Sequence, residues 1–157
     1  MSPGGRLPLR VVTPLGYPVR GIALTARNVP MSIKQVIVIR RDLKMRRGKE
    51  IAQGAHASMA ALLQGATFEA DGSVRVAVDP EARAWLQGAF TKIAVKVNSE
   101  EELLAVRDRA VAAGIPHALI QDAGRTEFHG VPTYTALAVG PASTERIDPV
   151  TGDLSLY

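Results

Sequence analysis

The chain predicts an α/β fold: a single-domain sandwich with a central mixed β-sheet flanked by helices. Three observations carry this. Gln35-Val36-Ile37-Val38-Ile39 is a β-branched run, the signature of a strand buried on both faces. Residues from about 47 to 64 then read as a helix rich in Ala, Gly and Gln. Beyond it the elements follow a β-α-(α)-β-α-β-β order, which implies helices layered on a mixed sheet.

Each later element has a local reason. An Asp71-Gly72 turn followed by Val74, Val76 and Val78 in alternation predicts a short hairpin within 65–78. Asp79-Pro80-Glu81 starts a second helix, with Asp as N-cap and Pro in the first turn; its Trp85 is expected in the core or as a groove wall. Ile93, Val95 and Val97 alternate with Lys92 and Lys96, a strand with one wet face. Ser99 with Glu102 forms a capping box, and Glu100 and Glu101 suit the helix dipole. That helix is expected to bury Leu103, Leu104, Val106, Ala110 and Val111 and to stop at Gly114. Pro116 to Ile120 and Tyr134 to Val139 read as strands, 143–148 as a helical turn, and Thr151-Gly152 as a turn before the terminal Leu154-Ser155-Leu156-Tyr157.

Composition bounds the function. At 157 residues with 46% hydrophobic content, the chain has enough apolar surface for a real core. One Trp, three Tyr and three Phe argue against an aromatic base-stacking sheet. The absence of Cys removes disulfides, thiolate metal sites and a Cys nucleophile, and fits a cytoplasmic setting. No run approaches the ~18 apolar residues of a membrane span, so no membrane partner is expected.

Residues 1–33 carry four Arg, no acid, many Gly and Pro, and no period. They are expected to be a disordered leader, with residues 34–157 as the folded domain. Met31 directly precedes the ordered pattern, which suggests an upstream start-site choice on a shorter protein. The net charge of +4 comes from this leader, because residues 34–157 hold 15 basic and 15 acidic side chains. Local clustering says more. Arg40, Arg41, Lys44, Arg46, Arg47 and Lys49 fall within ten residues, opposed there only by Asp42. A solvated basic loop and a phosphate-binding surface both fit that pattern.

Two segments carry chemistry. In a helix, Lys49, Gln53, His56 and Ala60 share one face, and Ala52, Ala55, Ala57 and Ala60 permit close packing. Lys49 lies in the first turn, where a cation opposes the dipole, so a carboxylate partner or a phosphate is expected beside it. Gly48-Lys49 is not a P-loop, since position 43 is not Gly and Glu50 follows the Lys. The second segment is Gln121-Asp122-Ala123-Gly124-Arg125-Thr126. Asp122 leaves the end of a buried strand; if that strand runs parallel to the first, Asp122 and Lys49 meet at one sheet edge. Asp122 reads equally as a turn residue or loop cap.

Arg41-Asp42-Leu43-Lys44-Met45, Gly48-Lys49, Ala52-Gln53 and His56-Ala57, with Asp122-Ala123-Gly124-Arg125-Thr126, resemble the type 2 peptidyl-tRNA hydrolase family. So do Thr135 to Gly140-Pro141 and the Ile147-Asp148, Thr151-Gly152 and Leu156-Tyr157 ending, so the likeness runs through residues 34–157 in order. The stretch 65–80 looks longer than in short relatives, and the leader has no family counterpart. The resemblance implies a compact α/β fold, a homodimer, no metal and no cofactor. It implies hydrolysis of the ester between a peptide and the 3′-terminal ribose of tRNA, which recycles tRNA from aborted translation. It places Lys49, Asp122 and Thr126 as catalytic residues. Lys44, Arg46, Arg47, Gln53, Arg125 and Thr135 are expected to bind the substrate, peptidyl-tRNA.

His56, on the Ala-rich helix, is expected to be a satisfied core histidine supporting the site from behind. His117 and His129 make no metal-ligand spacing with it. No G-x-S-x-G elbow or Ser-His-Asp pattern is visible. The competing class is a non-catalytic RNA- or protein-binding module on the same fold.

Overall fold

The computed structural model describes residues 32–157; the expected leader, apart from Ser32 and Ile33, lies outside the described residues. Ten elements follow in order. They are β1 (Ile33–Arg40), α1 (Arg47–Leu63), β2 (Ala66–Phe68), β3 (Val74–Val76), α2 (Pro80–Gln87), β4 (Lys92–Val97), α3 (Glu100–Ala112), β5 (His117–Asp122), β6 (Thr133–Ser143) and α4 (Thr144–Thr151).

The main sheet has the order β4-β1-β6-β5. β1 pairs parallel with β4 and antiparallel with β6, and β6 pairs antiparallel with β5. β1 and β5 therefore run the same way, and their C-terminal ends share one edge. This is the condition that Asp122 required to approach the start of α1. The alternation of β1 explains the layers. Val36 and Val38 enter a core with Leu103 and Val106 of α3 and with Ile147 and Val150 of α4. Ile37 and Ile39 face the other way, with Ala57 and Ala61 of α1 and Ala118, Ala136 and Ala138 of the sheet.

Small residues set how closely α1 approaches. Its buried stripe is Glu50, Gln53, Gly54, Ala57 and Ala61. A Cβ on Gly54 would stand 3.3 Å from Ile37 Cγ2 and 3.6 Å from Ile39 Cδ1. Ala52 and Ala55, expected to serve close packing, are exposed instead. They lie outside the stripe that the 3.6-residue period defines around Gly54 and Ala57.

The capping signals hold. The Asp79 side chain accepts from the Ala82 N–H at 2.7 Å, and Ser99 accepts from the Glu102 N–H at 3.1 Å. Glu102 reaches back to the N–H of Asn98, one residue before the cap. Trp85 is buried, and its indole N–H donates to the Thr91 carbonyl. The hairpin forms as a separate two-stranded sheet and leaves Phe68 exposed. Leu103, Val106 and Ala110 of α3 are buried, but Leu104 is half-buried and Val111 is exposed. The helix contacts the sheet along one narrow stripe, which those two residues flank.

Two elements run further than expected. β6 continues past Val139 to Ser143, because pairing with β1 resumes at Lys34 and Ala142 after a bulge. Gly140 sits at that bulge with φ +95°, and a Cβ there would meet the Lys34 carbonyl at 2.8 Å. α4 is a full helix to Thr151 with Pro149 inside it, longer than the helical turn expected at 143–148. The terminal segment covers the β4 edge: Lys96 N–H donates to Ser155 O, and Tyr157 N–H donates to Ala94 O.

Replacing Gly54 with Val should wedge α1 off β1. The expected loss is about 1–3 kcal/mol of unfolding free energy, as for other overpacked cores. Chemical denaturation measures it; an unchanged midpoint would show that α1 has room to move.

Candidate active site

The site forms where the end of β5, the following loop and the first turns of α1 meet. Asp122 is the last residue of β5. Its Oδ1 accepts from the Gly124 N–H at 2.8 Å and lies 3.0 Å from Lys49 Nζ. Its Oδ2 accepts from Gln53 Nε2 at 2.9 Å. Both Lys49 and Asp122 are largely shielded, at 10% and 17% side-chain exposure, so their attraction is less screened than a surface pair's. Burial pushes the Asp122 carboxyl up, but the Gly124 N–H, Lys49 and Gln53 outweigh it and hold the group below the usual carboxylate range. Asp122 is therefore an anion at neutral pH.

Lys49 has further neighbours. Its ammonium donates to Thr126 Oγ1 at 2.8 Å and stands 4.8 Å from the centre of the Phe128 ring. Thr126 is exposed, and its oxygen is occupied by Lys49, so its own O–H is free to donate toward solvent. One ammonium proton also remains after the bonds to Asp122 and Thr126.

The loop geometry depends on Gly124. It has φ +79°, and a Cβ there would lie 2.3 Å from the Val131 carbonyl oxygen. Its own carbonyl accepts from the Phe128 and Gly130 N–H groups. Glu127 then clamps the loop to α1: its carboxylate accepts from the Arg46 guanidinium at 2.7 Å and from the Arg46 N–H at 3.3 Å. Glu127 and Phe128 were not singled out in the sequence. An acid five residues after Asp122 gives no signal until the loop folds back onto the helix start.

Most sequence-predicted residues do converge here, with four changes. Thr135, expected to bind substrate, is fully buried on β6, a central strand covered on both faces. Its hydroxyl donates to Gln53 Oε1 at 2.5 Å. Gln53 is itself buried and faces Asp122 instead of solvent. The chain Thr135 to Gln53 to Asp122 fixes the amide so that its NH2 points at the carboxylate. Arg46 is engaged by Glu127 and is not free for a ligand. His56 is exposed and is not a core histidine. It lies about 20° beyond Lys49 on the helix wheel, away from the buried stripe centred near Glu50 and Ala57.

The remaining cations of 40–49 divide cleanly. Arg40 is buried and binds Asp42 at 2.6 Å, Glu100 at 2.8 Å and the Tyr134 carbonyl at 3.1 Å, so it holds the fold together. Arg41 pairs with Glu50 at 3.3 Å. Lys44 and Arg47 are exposed and make no ion pair among the described residues, and the same is true of Arg125 in the loop. The start of α1 has no side-chain cap, which leaves N–H groups of its first turn open.

Comparison with known proteins bears on this arrangement. The family model described as "Peptidyl-tRNA hydrolase PTH2" matches residues 33–157, which include every residue of the site. The chain belongs to the PTH2 peptidyl-tRNA hydrolase family. A peptidyl-tRNA hydrolase of Haloquadratum walsbyi is 42% identical over 125 residues, covering 80% of this chain and 100% of the relative. One of Methanocaldococcus jannaschii is 43% identical over 124 residues, covering 79% and 99%. A solved structure of an Agrobacterium protein of unknown function matches at TM-score 0.50 and 12% identity, covering 80% of this chain and 97% of that one; this shows the fold alone. No helix among the described residues is long and apolar enough to cross a membrane.

The amide relay is directly testable. Asp122 should titrate below the ordinary ~3.9 of a free Asp, read by carboxyl 13C shifts. Because its folded value is depressed, its contribution to stability is present above the unfolded value and is lost as pH falls through the folded one. Thr135→Val should let the Gln53 amide turn and raise the Asp122 value, and Thr135→Ser should restore it. An unchanged titration in Thr135→Val would show that Gln53 is oriented by packing alone.

Proposed function

We propose that this protein hydrolyses the ester that joins a peptide to the 3′-terminal ribose of tRNA. The observation that carries the reading is the Asp122 carboxylate. It is held ionised at the sheet edge by Lys49, Gln53 and Gly124, beside an exposed Thr126 hydroxyl whose oxygen is already taken. An ester needs a directed water and a stabilised oxyanion. This set supplies both.

In the proposed sequence, Asp122 accepts a hydrogen bond from water and takes its proton as the water oxygen attacks the ester carbonyl. The carbonyl oxygen gains negative charge, which the remaining Lys49 proton and the Thr126 O–H stabilise. Collapse of the tetrahedral intermediate breaks the bond to the ribose oxygen. The leaving alkoxide takes the proton from Asp122, which regenerates the carboxylate and frees the peptide acid and the tRNA. A carboxylate below the ordinary range is a weak base, so positioning of the water must carry much of the rate. Arg125 in the loop after Asp122, Lys44 just before α1 and Arg47 at its start are the cations for the phosphate backbone, whose contacts give affinity without reading bases. The same reading places the protein in the cytoplasm, where peptidyl-tRNA arises, and as a homodimer by family resemblance. Nothing observed favours a binding module without catalysis.

Purified protein should turn over peptidyl-tRNA. Thr126→Val, which removes one oxyanion donor from an exposed position, should lower kcat by about 10²-fold or more without lowering Tm. Lys44→Ala with Arg47→Ala should raise KM and flatten its salt dependence by roughly 0.7–0.9 logarithmic units per lost phosphate contact, with kcat retained. A folded wild-type protein that leaves peptidyl-tRNA intact would overturn the hydrolase reading.

A further inference from the structure

A deep concavity lies apart from the carboxylate site. It is a groove of about 1090 Å³ on the other side of α1, over the part of the sheet that α1 leaves uncovered. Its floor is apolar: Ile37, Ile39 and Ala94 from the sheet, with Ile51 and Ala55 from α1 and the ring of Tyr157 at its end. Ile51 is 74% exposed and Tyr157 is 42% exposed, so this apolar surface faces water. Its rim carries Arg41, Lys44, Arg46, Arg47 and Lys96 against one acid, Glu50. Glu50 is spent on Arg41, and Arg46 on Glu127. Lys44, Arg47 and Lys96 make no ion pair among the described residues.

We propose that this groove binds the unpaired 3′-terminal strand of the RNA substrate, with base faces on the apolar floor and phosphates on Lys44, Arg47 and Lys96. The inference rests on the hydrolase reading for its choice of RNA and extends it to a site that the catalytic residues do not touch.

Three considerations select this occupant. A floor lined by aliphatic groups and one ring, bordered by unneutralised cations, matches a polymer with apolar faces and a regular anionic backbone. A duplex hides its base faces in the stack, so only an unpaired strand uses both halves of the groove. The path to the chemistry is short. Lys49 and Glu50 are adjacent on α1, and their side chains diverge by about 100°, one toward Asp122 and one into the groove. A strand lying in the groove reaches the ester site by crossing the first turn of α1, a helix about 10 Å wide. Arg46 marks that crossing, since it lines the groove and holds the Glu127 of the catalytic loop.

The floor and rim separate from the catalytic set in a binding experiment. The probe is a 5′-fluorescein single-stranded RNA of about five nucleotides with a free 3′ end, compared with a blunt RNA duplex. Lys96→Glu and Ile51→Asp change a partly exposed and an exposed side chain. Each should weaken the single strand by about fivefold or more, since one loses a phosphate cation and the other puts a charge on the apolar floor. The duplex should change less. KM for peptidyl-tRNA should rise in parallel, with kcat and sedimentation unchanged. Absence of single-strand binding by the wild type, or equal binding by both variants, overturns the proposal. Equal losses for strand and duplex also overturn it, because they mark a general cationic surface. A change in sedimentation with RNA affinity intact does so too and assigns the groove to contact between copies of this chain. A wild type that binds the strand in the groove yet hydrolyses nothing supports the groove and refutes the hydrolase reading alone.

Discussion

Several parts of this structure meet at one carboxylate. Asp122 sits at the end of β5 with donors on both oxygens, and those three donors come from its own turn and from two successive turns of α1. Gly124 N–H belongs to its own turn, Lys49 to the first turn of α1, and Gln53 to the next turn. An ionised, largely shielded Asp is stable only while such partners remain, since removing one leaves a charge without compensation. The constraint reaches into the core. Gln53 depends on the hydroxyl of Thr135 in the fully buried strand β6, and α1 reaches the sheet only because Gly54 and Ala57 are small.

α1 divides the surface into two regions of different character. Toward β5 it presents Lys49 and Gln53 to the polar cluster around Asp122. Toward β4 it presents Glu50, Ile51 and Ala55 to an apolar groove with a cationic rim. The buried Arg40 ties the end of β1 to Asp42 and to Glu100 at the start of α3, which fixes the loop from which α1 begins. Glu127 fixes the same helix start from the other side through Arg46. The dense basic run is thus partly structural: Arg40, Arg41, Arg46 and Lys49 are held by carboxylates, and Lys44 and Arg47 face outward.

The strands and the caps were legible because each is a local signal, whereas the meeting of Lys49 and Asp122 was conditional on β1 and β5 running parallel and Thr126 joined them through the family resemblance. β-branched runs, Asp79 and Ser99 before helices, and an Asp-x-Gly turn after a buried strand need no long-range information. The misreadings share another cause. Whether Thr135 faces a ligand or a neighbour depends on which strands flank β6, and that is a property of topology. His56 shares a wheel sector with Lys49, but the depth of that sector depends on how α1 rolls onto the sheet. Glu127 and Phe128 act through a loop that folds back on α1, across about 80 residues of sequence from Arg46. β6 was expected to end at Val139 and runs on through Gly140-Pro141, because the bulge that keeps it in register is made jointly with β1.

The central claim is that Asp122 and Lys49 act as one unit in the chemical step. A double-mutant cycle on kcat with peptidyl-tRNA, using Asp122→Asn, Lys49→Ala and the pair, tests it most directly, with folding checked by thermal melts. The account predicts that each single change lowers kcat by at least ~10²-fold and that the double is little worse than the worse single, as groups sharing one role are strongly non-additive. A folded Asp122→Asn protein with near wild-type kcat would contradict it.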